Sequence, residues 1–167
     1  MVWDDGLLLE VTDPTGVVMR FDYDEYGDLV ASTDGEGNVT RIVRDGSGRA
    51  LEMIKPSGAA TQFVYNEAGL LTSRVEPDGA RWGYEYSVGG RLTAVVNPLG
   101  ARSILEYGEH GEIEATIDPL GRRIAQELDD LGNVTRVRLP DGAMWEFTHD
   151  AMSRLRQTID PSGGVWQ

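Results

Sequence analysis

The sequence predicts an all-β protein built from eight 21-residue β-hairpin repeats strung into one continuous antiparallel strip. Three observations carry this reading. Glycine recurs at a fixed spacing of 21 along two walks, and proline recurs two residues before the glycines of the second walk. The segments between them alternate apolar and polar residues with the period of a strand, and no 3.6-residue period is sustained.

The first walk visits Gly6, Gly27, Gly48, Gly69, Gly90, Gly111 and Gly132, then Ser153. The second, ten residues behind, visits Gly16, Gly37, Gly58, Gly79, Gly100, Gly121, Gly142 and Gly163. Pro14, Pro56, Pro77, Pro98, Pro119, Pro140 and Pro161 are all seven prolines of the chain, and one copy carries Gly35 in their place. The walks use 15 of the 21 glycines without insertion or deletion, so the repeat is real. It reads as a single array over residues 2–167, with copies starting at 2, 23, 44, 65, 86, 107, 128 and 149 and no separate catalytic domain.

Each copy holds two turns. In Asp118-Pro119-Leu120-Gly121 the Asp accepts backbone N–H groups, Pro presets φ for a type I turn, and Gly supplies the positive φ of the bulge that closes a three-residue hairpin loop. The other turn does without Pro, as in Asp24-Glu25-Tyr26-Gly27 and Asp129-Asp130-Leu131-Gly132. Two turns per copy leave two strands of roughly six or seven residues. After the Pro turn, one face reads Met19-Phe21-Tyr23, Thr61-Phe63-Tyr65, Trp82-Tyr84-Tyr86 or Trp145-Phe147-His149. Before it, Leu71-Ser73-Val75, Leu92-Ala94-Val96 and Ile113-Ala115-Ile117 are each expected on one face.

The bulk numbers narrow the function. With 15 basic against 28 acidic residues, a net −13, the chain is not expected to meet nucleic acid or an anionic membrane. It has no cysteine, hence no disulfide and no thiol chemistry. No apolar run approaches the ~20 residues of a membrane span, and the acidic start is unlike a signal peptide.

The stretches "FDYDEYGDLVASTDGEGN", "VYNEAGLLTSRVEPDGARW", "YSVGGRLTAVVNPLGAR" and "THDAMSRLRQTIDPSGG" resemble tyrosine–aspartate (YD, or Rhs) repeats. That family's pattern is approximately Tyr-Asp-x-x-Gly-Arg-Leu, four residues, then Asp-Pro-x-Gly. Tyr23, Tyr65, Tyr86 and Tyr107 fill the Tyr slot, and Arg44, Leu128 and His149 depart from it. Asp24, Asp45, Asp129 and Asp150 fill the Asp slot, and the Arg-Leu pair is intact at Arg91-Leu92 and Arg154-Leu155. The resemblance implies a β-strip spiralling into a hollow shell that, in bacterial Rhs toxins and the C components of insecticidal toxin complexes, encloses a toxic C-terminal domain; related repeats form a shell in teneurins. It implies an exported or cell-envelope bacterial protein whose partners are the remaining repeats and a C-terminal cargo or toxin domain. The array starts and stops mid-copy with no toxin segment of its own, and reads as a piece of a longer repeat protein. Its open edges invite edge-to-edge self-association.

Within such an array the chemistry-bearing residues read as structural. "DGEGN" and "DGSGR" lack the distal bidentate acid of a calcium loop. No acid pair breaks the repeat, and the histidines, His110 and His149, sit in a turn and a Tyr slot. The expectation is therefore no enzyme, no cofactor and no metal. Arg81, Arg102 and Arg123 share one repeat position, as do Glu85, Glu106 and Glu127, giving ladders of alternating sign across neighbouring strands. Trp82, Trp145 and Trp166 share another, an aromatic row that would suit glycan or choline contact in the rival reading, a cell-wall adhesion module.

Overall fold

The computed structural model describes residues 1–167. Its seventeen strands form one open antiparallel sheet in chain order, with no helix. They are β1 (Val2–Asp4), β2 (Leu7–Thr12), β3 (Val18–Tyr23), β4 (Leu29–Thr33), β5 (Val39–Arg44), β6 (Ala50–Ile54), β7 (Ala60–Tyr65), β8 (Leu71–Val75), β9 (Arg81–Tyr86), β10 (Leu92–Val96), β11 (Arg102–Tyr107), β12 (Ile113–Ile117), β13 (Arg123–Leu128), β14 (Val134–Arg138), β15 (Met144–His149), β16 (Leu155–Ile159) and β17 (Val165–Trp166). The chain divides into two compact units, Met1–Gly83 and Tyr84–Gln167, and the division falls inside β9.

Both turns of a copy prove to be one backbone device. With Pro, the Gly16 N–H donates to the Asp13 carbonyl at 3.0 Å and the Asp13 N–H to the Val17 carbonyl at 2.9 Å. Without Pro, Gly27 donates to Asp24 at 3.1 Å and Asp24 to Asp28 at 3.0 Å, and the pattern repeats along the chain. The glycine that ends each turn has a φ between 78 and 90°. At Ser153 the same left-handed conformation, φ 59°, is held by a residue with a Cβ.

The two turns differ in the strand that comes after them. Beyond the Pro turn, pairing is regular: Thr12↔Val18, Val11↔Met19, Glu10↔Arg20. Beyond the other turn the register slips by one residue. Tyr65 faces Leu71 but Val64 faces Ser73, so Thr72 is skipped, and Leu51 and Glu114 are skipped likewise. A one-residue bulge shifts the rest of its strand to the other face. The expectation of Leu71-Ser73-Val75 on a single face therefore fails, because Leu71 joins Tyr65 while Ser73 and Val75 take the opposite side. The same correction applies to Ile113-Ala115-Ile117, with Ile113 opposite Tyr107 and Ala115 opposite Glu106.

The sheet has little core. Only Thr61, Ser73, Ala94 and Ala115 are buried. The chain exposes 11225 Å², where a compact monomer of its 18.3 kDa exposes about 8100 Å². Ring-bearing side chains such as Phe21, Phe63 and Phe147 are half-buried, not enclosed.

Candidate functional site: the joints between repeats and the exposed faces

The turns come first, since they set the rims of the sheet. Where a turn is led by Asp, one carboxylate oxygen accepts two backbone N–H groups, two and four residues on. Asp118 Oδ1 takes those of Leu120 at 2.9 Å and Arg122 at 3.0 Å, and Asp160 takes those of Ser162 and Gly164 at 2.8 Å each. Where the leading residue is Leu139 the acceptor moves two places on, to Asp141, which binds the Ala143 N–H at 3.0 Å. An Arg four residues after the Asp closes some turns, with Asp45–Arg49 at 2.7 Å, Asp118–Arg122 at 2.6 Å and Asp150–Arg154 at 2.8 Å. These contacts hold the carboxyls below their ordinary range. For Asp45, Asp118 and Asp150 the Arg four residues on is the leading cause. For Asp34 and Asp129 it is the side chain of Asn38 or Asn133, and for Asp13 and Asp160 a hydroxyl, Thr15 or Ser162.

The tyrosine slot joins one repeat to the one before. The Tyr23 hydroxyl donates to the Leu8 carbonyl at 3.0 Å, Tyr65 to Ala50 at 2.9 Å and Tyr107 to Leu92 at 2.7 Å, each fifteen residues back. The Leu8 and Ala50 carbonyls belong to the residue beside the bulge, where the ladder is interrupted. Arg44, occupying the slot, makes the same reach through Nε to the Leu29 carbonyl at 3.0 Å. The ring is held from its face as well. The Arg49 guanidinium lies 5.2 Å from the centre of the Tyr65 ring, and that of Arg91 5.8 Å from Tyr107. Arg91 and Leu92 thus grip one tyrosine together, one by its ring and the other by its hydroxyl.

Departures from the slot are handled individually. Leu128 has no donor, and Gln126, two residues earlier, sends its Nε2 to the Ile113 carbonyl at 2.5 Å, fifteen residues before Leu128. At His149 no such substitute is present, and its Nδ1 is shielded from solvent without a hydrogen-bond partner.

The Arg–Glu position forms bridges that skip a strand instead of pairing neighbours. Arg102 meets Glu85 at 2.6 Å and Arg123 meets Glu106 at 2.8 Å. The second pair joins β13 to β11 across β12, where Ala115 stands opposite Glu106 with 1% of its surface exposed. Only a short side chain leaves room for the ions to meet above it. Ala94, fully buried at 0%, holds the equivalent place one repeat earlier. The series is not a full ladder: Glu127 turns to Arg136 at 3.0 Å, with Met144 where the next Arg would stand.

The tryptophans have different local partners. Trp145 and Trp166 stack at 6.3 Å with 22° between their planes, and 55% of Trp166 is exposed. Trp82 instead carries the Arg74 guanidinium at 5.8 Å. His110 lines an open acidic cleft of about 720 Å³ with Glu112, Glu114, Glu127, Asp129 and Asp130. These acids do not converge into a group that could hold a metal ion.

The tyrosine joints escaped the sequence reading. Their signal is present, since Arg49-Ala50 precedes Tyr65 and Arg91-Leu92 precedes Tyr107 by the same 15 to 16 residues. Spacing alone does not show that a hydroxyl meets a carbonyl.

Among solved structures, the chain resembles the Photorhabdus luminescens Tc holotoxin pore with a TM-score of 0.70 and 14% identity. The crystal structure of TcdB2-TccC3-TEV matches equally, at 0.70 and 14%. Each match covers 90% of this chain and 9% of the other, so the chain spans about a tenth of their length and shares their fold. No curated protein matches it. The family model described as RHS Repeat matches residues 3–43, 44–81, 65–102 and 129–165. Those matches take in most of the hairpins, with the Tyr23 and Tyr65 joints, and the chain belongs to the RHS repeat family.

Proposed function

We propose that this array is a stretch of wall in a larger Rhs-type shell, one that encloses and protects a C-terminal toxin or cargo domain of an exported or envelope-associated bacterial protein. Its role is mechanical and it performs no catalysis. The observation that carries this reading is the uncovered sheet: 11225 Å² exposed and four buried residues. A hydrogen-bonded surface without its own core suits a boundary, with the turns stiffened at both rims and successive repeats stapled by tyrosine. The partners are the neighbouring repeats and the enclosed domain.

Limited proteolysis of the parent protein, read by intact mass, tests this. The enclosed domain is expected to survive while the wall is intact and to be digested once the wall is denatured. Digestion of every flanking domain around persisting repeats would overturn enclosure. The stacked Trp145 and Trp166 favour a second reading, adhesion to a glycan surface. Trp145→Ala would then abolish binding to cell-wall polysaccharide, whereas the wall reading predicts no such binding to lose.

A further inference from the structure

The turns on the proline rim keep one backbone whatever residue stands third. With Leu99 at the tip, the Gly100 N–H donates to the Asn97 carbonyl and the Asn97 N–H to the Ala101 carbonyl, both at 2.9 Å. With Ser57 there, Gly58 and Lys55 make the same two bonds, also at 2.9 Å. Other copies place Thr15, Glu36, Asp78, Asp141 or Ser162 at this tip, and two successive copies place Leu99 and Leu120. The turn does not need those leucines. They are 93% and 78% exposed, beside the exposed Pro98 and Pro119. The same two turns are the neutral ones on this rim. Asn97–Ala101 holds no charged residue, and Asp118 is paired with Arg122 at 2.6 Å. Every other turn of the rim carries a net charge, as at Asp34 with Glu36, at Lys55, or at Glu76 with Asp78.

Two strands separate successive tips on one rim, so the leucines stand about 10 Å apart. An apolar spot depleted of charge has the composition of an interface centre. Its size limits the occupant. Covering both leucines removes roughly 120–240 Å² from water, far below the ~800 Å² per partner of a stable complex between free molecules. A contact this small holds when its other half is tethered to the same chain, where effective concentration replaces area. The other half must also repeat at about 10 Å to meet both leucines. Turn tips of this repeat do so: on the opposite rim, Leu131 and Met152 are exposed in successive copies. We propose that Leu99 and Leu120 seat against turn tips of another stretch of repeats in the same parent chain. The proposal rests on the wall reading and assigns a seam of that wall to the rim between Asn97 and Arg122.

The test is made in the parent protein, with Leu99→Cys and Leu120→Cys introduced singly so that the other leucine still holds the seam. Residues 1–167 have no cysteine of their own, and cysteine is close in size to the Ser57 and Ser162 that this tip accepts. Maleimide labelling of each variant is read by peptide mass, natively and in urea. Native labelling is expected to be slower by roughly tenfold or more, since a covered tip reacts only on local opening. Equal rates at either tip overturn the seam. A benzophenone side chain placed at residue 120 then identifies the occupant. Cross-links to turn residues of other repeats in the same chain support the proposal. Cross-links to a non-repeat domain or to another molecule, or none at all, refute it. Limited proteolysis of the same sample keeps the two readings apart. An open Leu120 with a protected domain sinks the seam alone, and a closed seam without a protected domain sinks enclosure alone.

Discussion

Tyr65→Phe removes one oxygen and leaves the ring, so it isolates the joint between repeats. The lost bond is 2.9 Å long and part-buried, and its loss leaves the Ala50 carbonyl without that donor. A neutral hydrogen bond contributes about 0.5–1.5 kcal/mol net, and a buried orphaned acceptor costs about 1–3 kcal/mol. Tyr65 and Ala50 are half-buried, so water partly rescues the carbonyl and the low end applies. The expected loss is about 1.5 kcal/mol, or roughly 3–6 °C for a chain of this size. Arg49 still stacks on the phenyl ring, so the change reports the hydroxyl alone. Tyr26→Phe is the control, since Tyr26 sits in a turn with 81% of its surface exposed. Chemical denaturation of both variants, with equal slopes, gives the difference. Equal midpoints for Tyr65→Phe and Tyr26→Phe would refute the staple.

The turns, the skipping ion pairs and the rim carboxylates each carry an expected outcome. Gly121→Val is expected to destabilise even though a Cβ there meets nothing within 4 Å, because its φ is 78°; Gly46→Pro, at a turn position of ordinary φ, is expected to stabilise by about 0.4–1 kcal/mol, and thermal melts of both decide whether the two turns share one backbone. Ala115→Leu is expected to cost about 1–3 kcal/mol by pushing Glu106 and Arg123 apart, with Ala101→Leu, half-exposed in a turn, as the neutral comparison in urea unfolding. The carboxyls of Asp13, Asp34, Asp45, Asp118, Asp129, Asp150 and Asp160 are all held below the ordinary 3.8. Depressed folded-state values stabilise above the unfolded pKa, and that stability disappears as pH falls below it. Acid titration of unfolding should therefore show a loss beginning near pH 4 and steepening below, and Asp118→Asn, which keeps the Oδ1 acceptor but drops the charge, should soften it.

The fold class was legible because its signals are local and repeated. Gly121 and Pro119 act on their own backbone, and eight copies of such a turn leave only hairpins as the solution. The bulge was not legible, since the skipped residue has no fixed identity: Leu9, Val30, Leu51, Thr72, Glu114 and Arg156 all serve. Strict alternation therefore misassigned Leu71 and Ile113. The joints were hidden for a different reason. Tyr107 looked like one more apolar side chain, and only the fold brings its hydroxyl to Leu92. Gln126 shows the same limit, because it serves a slot it does not occupy. The Arg–Glu positions were legible, but their pairing across Ala94 and Ala115 depends on which strands lie between them.

A cryo-electron microscopy map of the parent protein would test the wall reading most directly. The account predicts that residues 2–167 appear as consecutive hairpins in a closed surface with density for a further domain on one side. A map in which these hairpins form an open strip, with solvent on both faces and every other domain outside, would contradict it.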